Sequence, residues 1–229
     1  MKSITKNIDL YIVQDTSGSM KSQAPSVANG INEIIDDLKQ RYKEPCEYTA
    51  TITYCTFSSN ALISIGEQIS IKDFPLIEAP QCNGLTAMWD ALGPVLTLMQ
   101  KNSSNVSAVL YVFTDGSDND SYIYNKDKIS EMIESKSKMH SVLFVGSDPT
   151  SAETAHSLGL DRNSSIQHVP DNTPIVYEVC RRALARCVIG DTQTTIFSED
   201  DIVLSETPQH SALSMTTSWN YCSDNVSSM

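Results

Sequence analysis

The sequence predicts an α/β fold, a doubly wound and mostly parallel sheet with helices on both faces. Three observations predict it. Apolar runs such as Ile8 to Gln14 and Ser107 to Thr114 (SAVLYVFT) are continuous rather than alternating, as strands covered on both faces require. Segments with apolar residues at helical spacing lie between them. Short Asp-, Ser- and Gly-containing turns, DTSGS at 15–19 and TDG at 114–116, follow two of the strong runs directly.

Taken in order, Ile8 to Gln14 is the first strand. Val27, Ile31, Ile34, Ile35 and Leu38 then share one face of a helix whose other side carries Asn32, Glu33, Asp36, Asp37 and Lys39. Tyr48 to Phe57 (YTATITYCTF), β-branched and aromatic, is the second strand. Leu62 to Ile71 is an edge strand after a tight turn at Ser58 to Asn60. Met88, Ala91, Leu92, Val95, Leu96 and Met99 mark a second helix, interrupted by Pro94. Ser107 to Thr114 is a core strand, Asp127 to Lys136 a helix, His140 to Gly146 a strand and Ser151 to Leu158 a short helix. Ser165 to Val169 is the last strand, and Thr173 to Cys187 a final helix with Val176, Val179, Cys180, Ala183 and Leu184 on one face. Residues 1–187 therefore form one domain.

Residues 188–229 differ in character. They hold six acidic residues and no Lys or Arg, half of the net charge of -12, and are rich in Ser and Thr with little periodicity. An acidic, partly disordered tail is the expectation. Within it, Ser198 to Glu206 is an aliphatic core flanked by acids that suits addition to a sheet edge as a strand. Its Asp200 and Asp201 are candidates to reach the domain's own binding site in cis.

With 229 residues and 40% hydrophobic content the chain can bury one full core. Its charge excludes sequence-independent binding to nucleic acid, which needs Lys and Arg along the phosphates. No run approaches the roughly 18 apolar residues of a membrane span. The apolar stretch Leu10 to Val13 is too short for a secretory leader, so the expected location is the cytoplasm. The six cysteines make no C-x-x-C pair and the four histidines no H-x-x-x-H, so zinc spacing is lacking. Cys180 and Cys187, seven apart on a helix, read as buried packing residues.

Ligands of doubly wound sheets bind beyond the carboxyl ends of the strands, where the strand order reverses. Three segments fall to that edge: Asp15-Thr16-Ser17-Gly18-Ser19, Gly84-Leu85-Thr86 and Thr114-Asp115-Gly116. Ser17, Ser19 and Thr86 offer neutral hydroxyls, and Asp15 and Asp115 carboxylates. An all-oxygen set of this kind suits a hard divalent cation, Mg2+ first, with Mn2+ and Ca2+ accepting similar oxygens. The alternative is that these residues only cap helices and make turns.

Over about residues 8–187 the sequence resembles the von Willebrand factor A domain family. That family's metal-ion-dependent adhesion site is written D-x-S-x-S, then Thr, then Asp, and all of these elements occur here in that order. The resemblance implies Ser17 and Ser19 as direct ligands, Thr86 as a direct or state-dependent one, and Asp15 and Asp115 as mainly water-mediated. It implies a non-enzymatic module that binds a Glu- or Asp-bearing protein partner through the metal. Gln14 departs from the usual apolar residue before the motif.

Two other readings share these residues. In a Mg2+-dependent phosphoryl-transfer hydrolase Asp15 would be the nucleophile. The acid/base Asp expected two residues later is here Ser17, and no phosphate-binding glycine loop is present. As an adaptor subunit, the chain would serve a separate AAA+ ATPase. Asp118 and Asp120 read as a solvated acidic loop, and Trp89 as partly buried packing.

Overall fold

The structure is a computed structural model, and it describes residues 6–43, 45–59, 62–101, 106–135, 140–146, 149–167, 172–190 and 196–206. Six strands form one sheet: β1 (Ile8–Asp15), β2 (Ala50–Phe57), β3 (Leu62–Ser70), β4 (Ser107–Thr114), β5 (His140–Gly146) and β6 (Ser165–Gln167). Their order is β3-β2-β1-β4-β5-β6. Every pair is parallel except β2 with β3. The expected doubly wound sheet is therefore present, with a single antiparallel edge. β1, β4 and β5 are buried along their whole length, which is why their sequences lack alternation.

Helices cover both faces. On one face α1 (Ala24–Arg41) and α5 (Thr173–Val188) pack against Leu10, Ile12, Ile52, Val109 and Tyr111. On the other, α2 (Met88–Gln100), α3 (Lys126–Glu134) and α4 (Pro149–Ser157) surround Tyr11, Val13, Leu110, Val112 and Phe144. β1 leads into α1 on the first face and β4 into α3 on the second. The chain thus diverges between the neighbouring strands β1 and β4 and leaves a crevice at their carboxyl ends.

Close approach of α1 and α5 rests on Gly30. A Cβ built there would fall on the ring of Tyr177. That ring is itself stacked on Phe113, with centroids 5.8 Å apart, and cannot move aside. Gly30→Ala is expected to gain up to ~1 kcal/mol of helix propensity and lose more through overpacking, a net cost of about 1–2 kcal/mol. A lower urea midpoint at unchanged m-value checks this.

Several expectations shift in detail. His168 and Val169 at the expected end of β6, Asn60, and Lys136 lie outside the described residues. Residues 18–22 form a 3-10 turn ahead of α1. Pro94 lies inside a helix that continues to Gln100. Gln14 is buried and its Oε1 accepts from the Tyr54 hydroxyl at 2.6 Å, which accounts for a polar residue at that strand position.

Within the tail, the expectation of an added strand at 198–206 is corrected. Glu199–Glu206 is a helix, α6. Ser198 and Asp201 bond reciprocally across its first turn: Ser198 N–H donates to Asp201 Oδ2 at 2.9 Å, and Asp201 N–H donates to Ser198 Oγ at 3.2 Å. Three acids in the first turn suit the positive end of the helix dipole. Phe197 and Ile202 join the core on the α1/α5 face. Asp201 is buried and paired with Arg186 in the last turn of α5, at the opposite end of the sheet from the crevice. It therefore does not reach the Asp15–Ser19 turn. The remaining tail residues, 191–195 and 207–229, lie outside the described ones.

Candidate metal centre

Asp15 ends β1 with no exposed surface. Its Oδ1 accepts from the Ser17 N–H at 2.7 Å, and its Oδ2 from the Thr114 hydroxyl at 2.8 Å. These two bonds tie the turn after β1 to the end of β4. Ser17 Oγ lies 3.1 Å from Ser19 Oγ, and the Ser19 hydroxyl donates to Asp115 Oδ1 at 2.9 Å. Residues far apart in sequence, at 17, 19 and 115, thus form one chain of oxygens.

The third segment is drawn in through its backbone. Gly18 N–H donates to Gly84 O at 3.0 Å, and Asn83 N–H to Thr16 O at 2.9 Å. Gly84 has φ +74, in the region that favours glycine. Thr86 is buried and doubly linked to the loop after β4. Its N–H donates to Asn119 Oδ1 at 2.8 Å, and its carbonyl accepts from Asn119 N–H at 2.9 Å. All five expected residues, Asp15, Ser17, Ser19, Thr86 and Asp115, therefore stand on three mutually bonded segments at the β1/β4 crevice.

The loop after β4 also completes α2. The N-terminal N–H groups of a helix have no partner within it, and Ala87 at the cap position supplies none from its side chain. Asp118 Oδ1 instead accepts from Trp89 N–H at 3.2 Å, and Ser121 Oγ from Asp90 N–H at 3.1 Å. Asp120 accepts from the Tyr122 hydroxyl at 2.9 Å. Asp118, expected to be merely solvated, thus fastens the loop to α2, whereas the Asp120–Tyr122 bond is exposed and lies within the loop. Trp89 is partly buried against the α2 side of the core. Asn83, Asp90 and Asn119 carry no signal in the sequence, because bonds to residues more than thirty positions away leave no period or spacing to read.

Electrostatics favour a cation here. Burial pushes the Asp15 carboxyl above the ordinary carboxylate range. The Ser17 N–H and the Thr114 and Ser17 side chains pull it back, and the neighbouring Asp115 carboxylate adds to the rise. The Cys82 thiol is raised by burial and then by the same two carboxylates. A positive ion would relieve this concentration of negative charge. Among the described residues no three His, Cys, Asp or Glu side chains gather as a metal-binding group. The set at the crevice instead comprises two carboxylates and three hydroxyls. An all-oxygen donor set of this kind is what a small hard divalent cation takes. The residues fit a small hard ion.

Comparison with known proteins identifies the family and the fold. The family model for the von Willebrand factor type A domain matches residues 9–173. No match is found among curated proteins. Similar solved structures include proximal thread matrix protein 1 from the mussel byssus with a zinc-occupied MIDAS motif, at 14% identity and TM-score 0.57, covering 79% of this chain and 47% of that one. The pilus adhesin SpaC from Lactobacillus rhamnosus GG, in an open conformation, gives 13% and 0.60, covering 82% and 30%. The ArnB paralog VWA2 from Sulfolobus acidocaldarius gives 20% and 0.51, covering 79% and 46%. Identities this low show the fold alone, and the chain spans less than half the length of each of these three structures.

Proposed function

The chain belongs to the von Willebrand factor type A domain family, and from that premise we propose that it is a metal-dependent protein-interaction module. In this reading Ser17, Ser19, Thr86, Asp15 and Asp115 form a complete metal-ion-dependent adhesion site. The partner is a protein that presents a Glu or Asp side chain to the ion. The supporting observation is the oxygen chain Ser17–Ser19–Asp115, bonded through Gly18 to the segment that carries Thr86. Mg2+ suits the all-oxygen ligand set best, and Mn2+ and Ca2+ accept similar oxygens.

When bound, the ion supplies a strong, directional contact for an outside carboxylate oxygen. The protein's own residues hold the site in readiness. Thr114 and the Ser17 N–H fix the Asp15 carboxylate, and Asn119 fixes Thr86. Asp15 is buried with both oxygens already accepting hydrogen bonds, which disfavours its use as a phosphoryl-accepting nucleophile and supports the binding reading over the hydrolase one. In the same reading residues 1–187 carry the binding site, and the acidic segment that follows packs α6 onto the same core through Phe197 and Ile202. Reduced thiols at Cys46, Cys82, Cys180 and Cys187 accord with a cytoplasmic setting. Among the described residues no helix is long and apolar enough to cross a membrane.

Parallel affinity captures with Mg2+ and with EDTA test the reading. Partners retained with Mg2+ and released by EDTA are expected, and an ATPase chain among them would assign the adaptor role. Capture that survives EDTA unchanged contradicts it.

A further inference from the structure

Three of the six large apolar side chains exposed among the described residues lie on the loops that build the crevice: Leu85 at 52%, Tyr122 at 76% and Ile123 at 82%. Leu85 immediately precedes Thr86. Tyr122 and Ile123 follow Asp115 on the loop that clasps Thr86 through Asn119. Isolated exposed apolar residues are ordinary, but a group of them beside a binding site marks an interaction surface.

The 122–124 segment is also held rigidly. The Asp90 carboxylate accepts three consecutive backbone N–H groups, from Tyr122 at 2.8 Å, Ile123 at 2.9 Å and Tyr124 at 2.7 Å. The Tyr124 ring then packs so closely on α2 that a Cβ at Gly93 would meet it. A loop fastened in this way holds two large apolar side chains exposed to water. Such preorganised apolar groups contribute to affinity because little order remains to be imposed on binding. Charge narrows the partner further. Asp118 and Asp120 stand on the same loop and the chain carries a net -12, so a partner rich in acids would be repelled around the metal contact.

We propose that Leu85, Tyr122 and Ile123 form an apolar shelf that selects the partner. The segment it fits presents one acidic side chain with a large apolar residue beside it and no further acids nearby. This rests on the metal reading above and adds the chemistry of the partner to it.

An array of synthetic peptides tests it, each with one central Glu and varied flanking residues, probed with the full chain in Mg2+ and in EDTA. Expected are Mg2+-dependent binding that favours Leu, Ile, Met or Phe next to the Glu, and weaker binding when a second Glu is added. In Tyr122→Ser/Ile123→Ser that preference is lost, with about tenfold weaker binding to the apolar-flanked peptides and unchanged Mn2+ affinity. Asp90→Asn, which weakens the grip on the loop and leaves both side chains in place, falls between. Absence of any Mg2+-dependent preference for apolar flanks overturns the shelf and leaves the metal site standing. A preference that persists in EDTA and disappears in the double variant overturns both the metal reading and the pairing of carboxylate with apolar neighbour.

Discussion

Ser17→Ala/Ser19→Ala is expected to weaken Mg2+ and Mn2+ binding by at least ~100-fold and to abolish metal-dependent partner capture, with the fold intact. Residues that only support a metal's ligands typically cost 10–100-fold when changed, and here two proposed direct ligands go at once. The fold survives because neither hydroxyl holds the core. The turn keeps its shape through backbone groups, Ser17 N–H to Asp15 and Gly18 N–H to Gly84 O. The two hydroxyls themselves bond to each other and to Asp115, all within the site. Titration calorimetry with Mn2+, beside circular dichroism of the same sample, checks both halves. Retained metal affinity would remove the two serines from the site.

Phe197→Ala is expected to cost ~3–5 kcal/mol, a value usual for a fully buried aromatic cut back to Ala, since Phe197 has no exposed surface and lies in the α1/α5 core. The effect should be local first. α6 is held by Phe197 and Ile202, by the Asp201–Arg186 pair and by Asn172, whose Nδ2 donates to Ser205 O at 3.2 Å. Removing the ring therefore loosens that helix before the sheet. The checks are hydrogen exchange, with protection lost across 197–206 ahead of β1 and β4, and a melting temperature lower by roughly 6 °C or more. A melting temperature within a degree of the unaltered protein would mean that the tail helix contributes nothing to the domain.

The parts legible in the sequence share one physical property, burial on both faces. β4 and β5 match the expected 107–114 and 140–146, because a strand covered on both sides must be apolar throughout and ends where the first polar turn begins. The turns that carry the five residues proposed as the site are equally legible, since Asp, Ser, Thr and Gly gather directly after the strong apolar runs. Tertiary context hid the rest. α6 is eight residues of acids and aliphatics with no clear periodicity, and its helical state depends on the Ser198–Asp201 cap and on Arg186, contacts that no local pattern announces. In the sequence nothing distinguishes Asp90 from any other polar residue on α2. Its role emerges only once a loop more than thirty residues away brings three N–H groups to its carboxylate. Gln14 broke the apolar pattern of β1 because its partner, Tyr54, lies on the neighbouring strand.

Diffraction from crystals grown with Mn2+, collected for anomalous scattering, tests the central claim most directly. The account predicts one strong peak about 2.0–2.3 Å from the hydroxyls of Ser17 and Ser19, with Thr86 and Asp115 around it and one coordination position open to solvent or filled by a carboxylate. No peak at the β1/β4 crevice, or a peak confined to the Asp118–Asp120 loop, would contradict it.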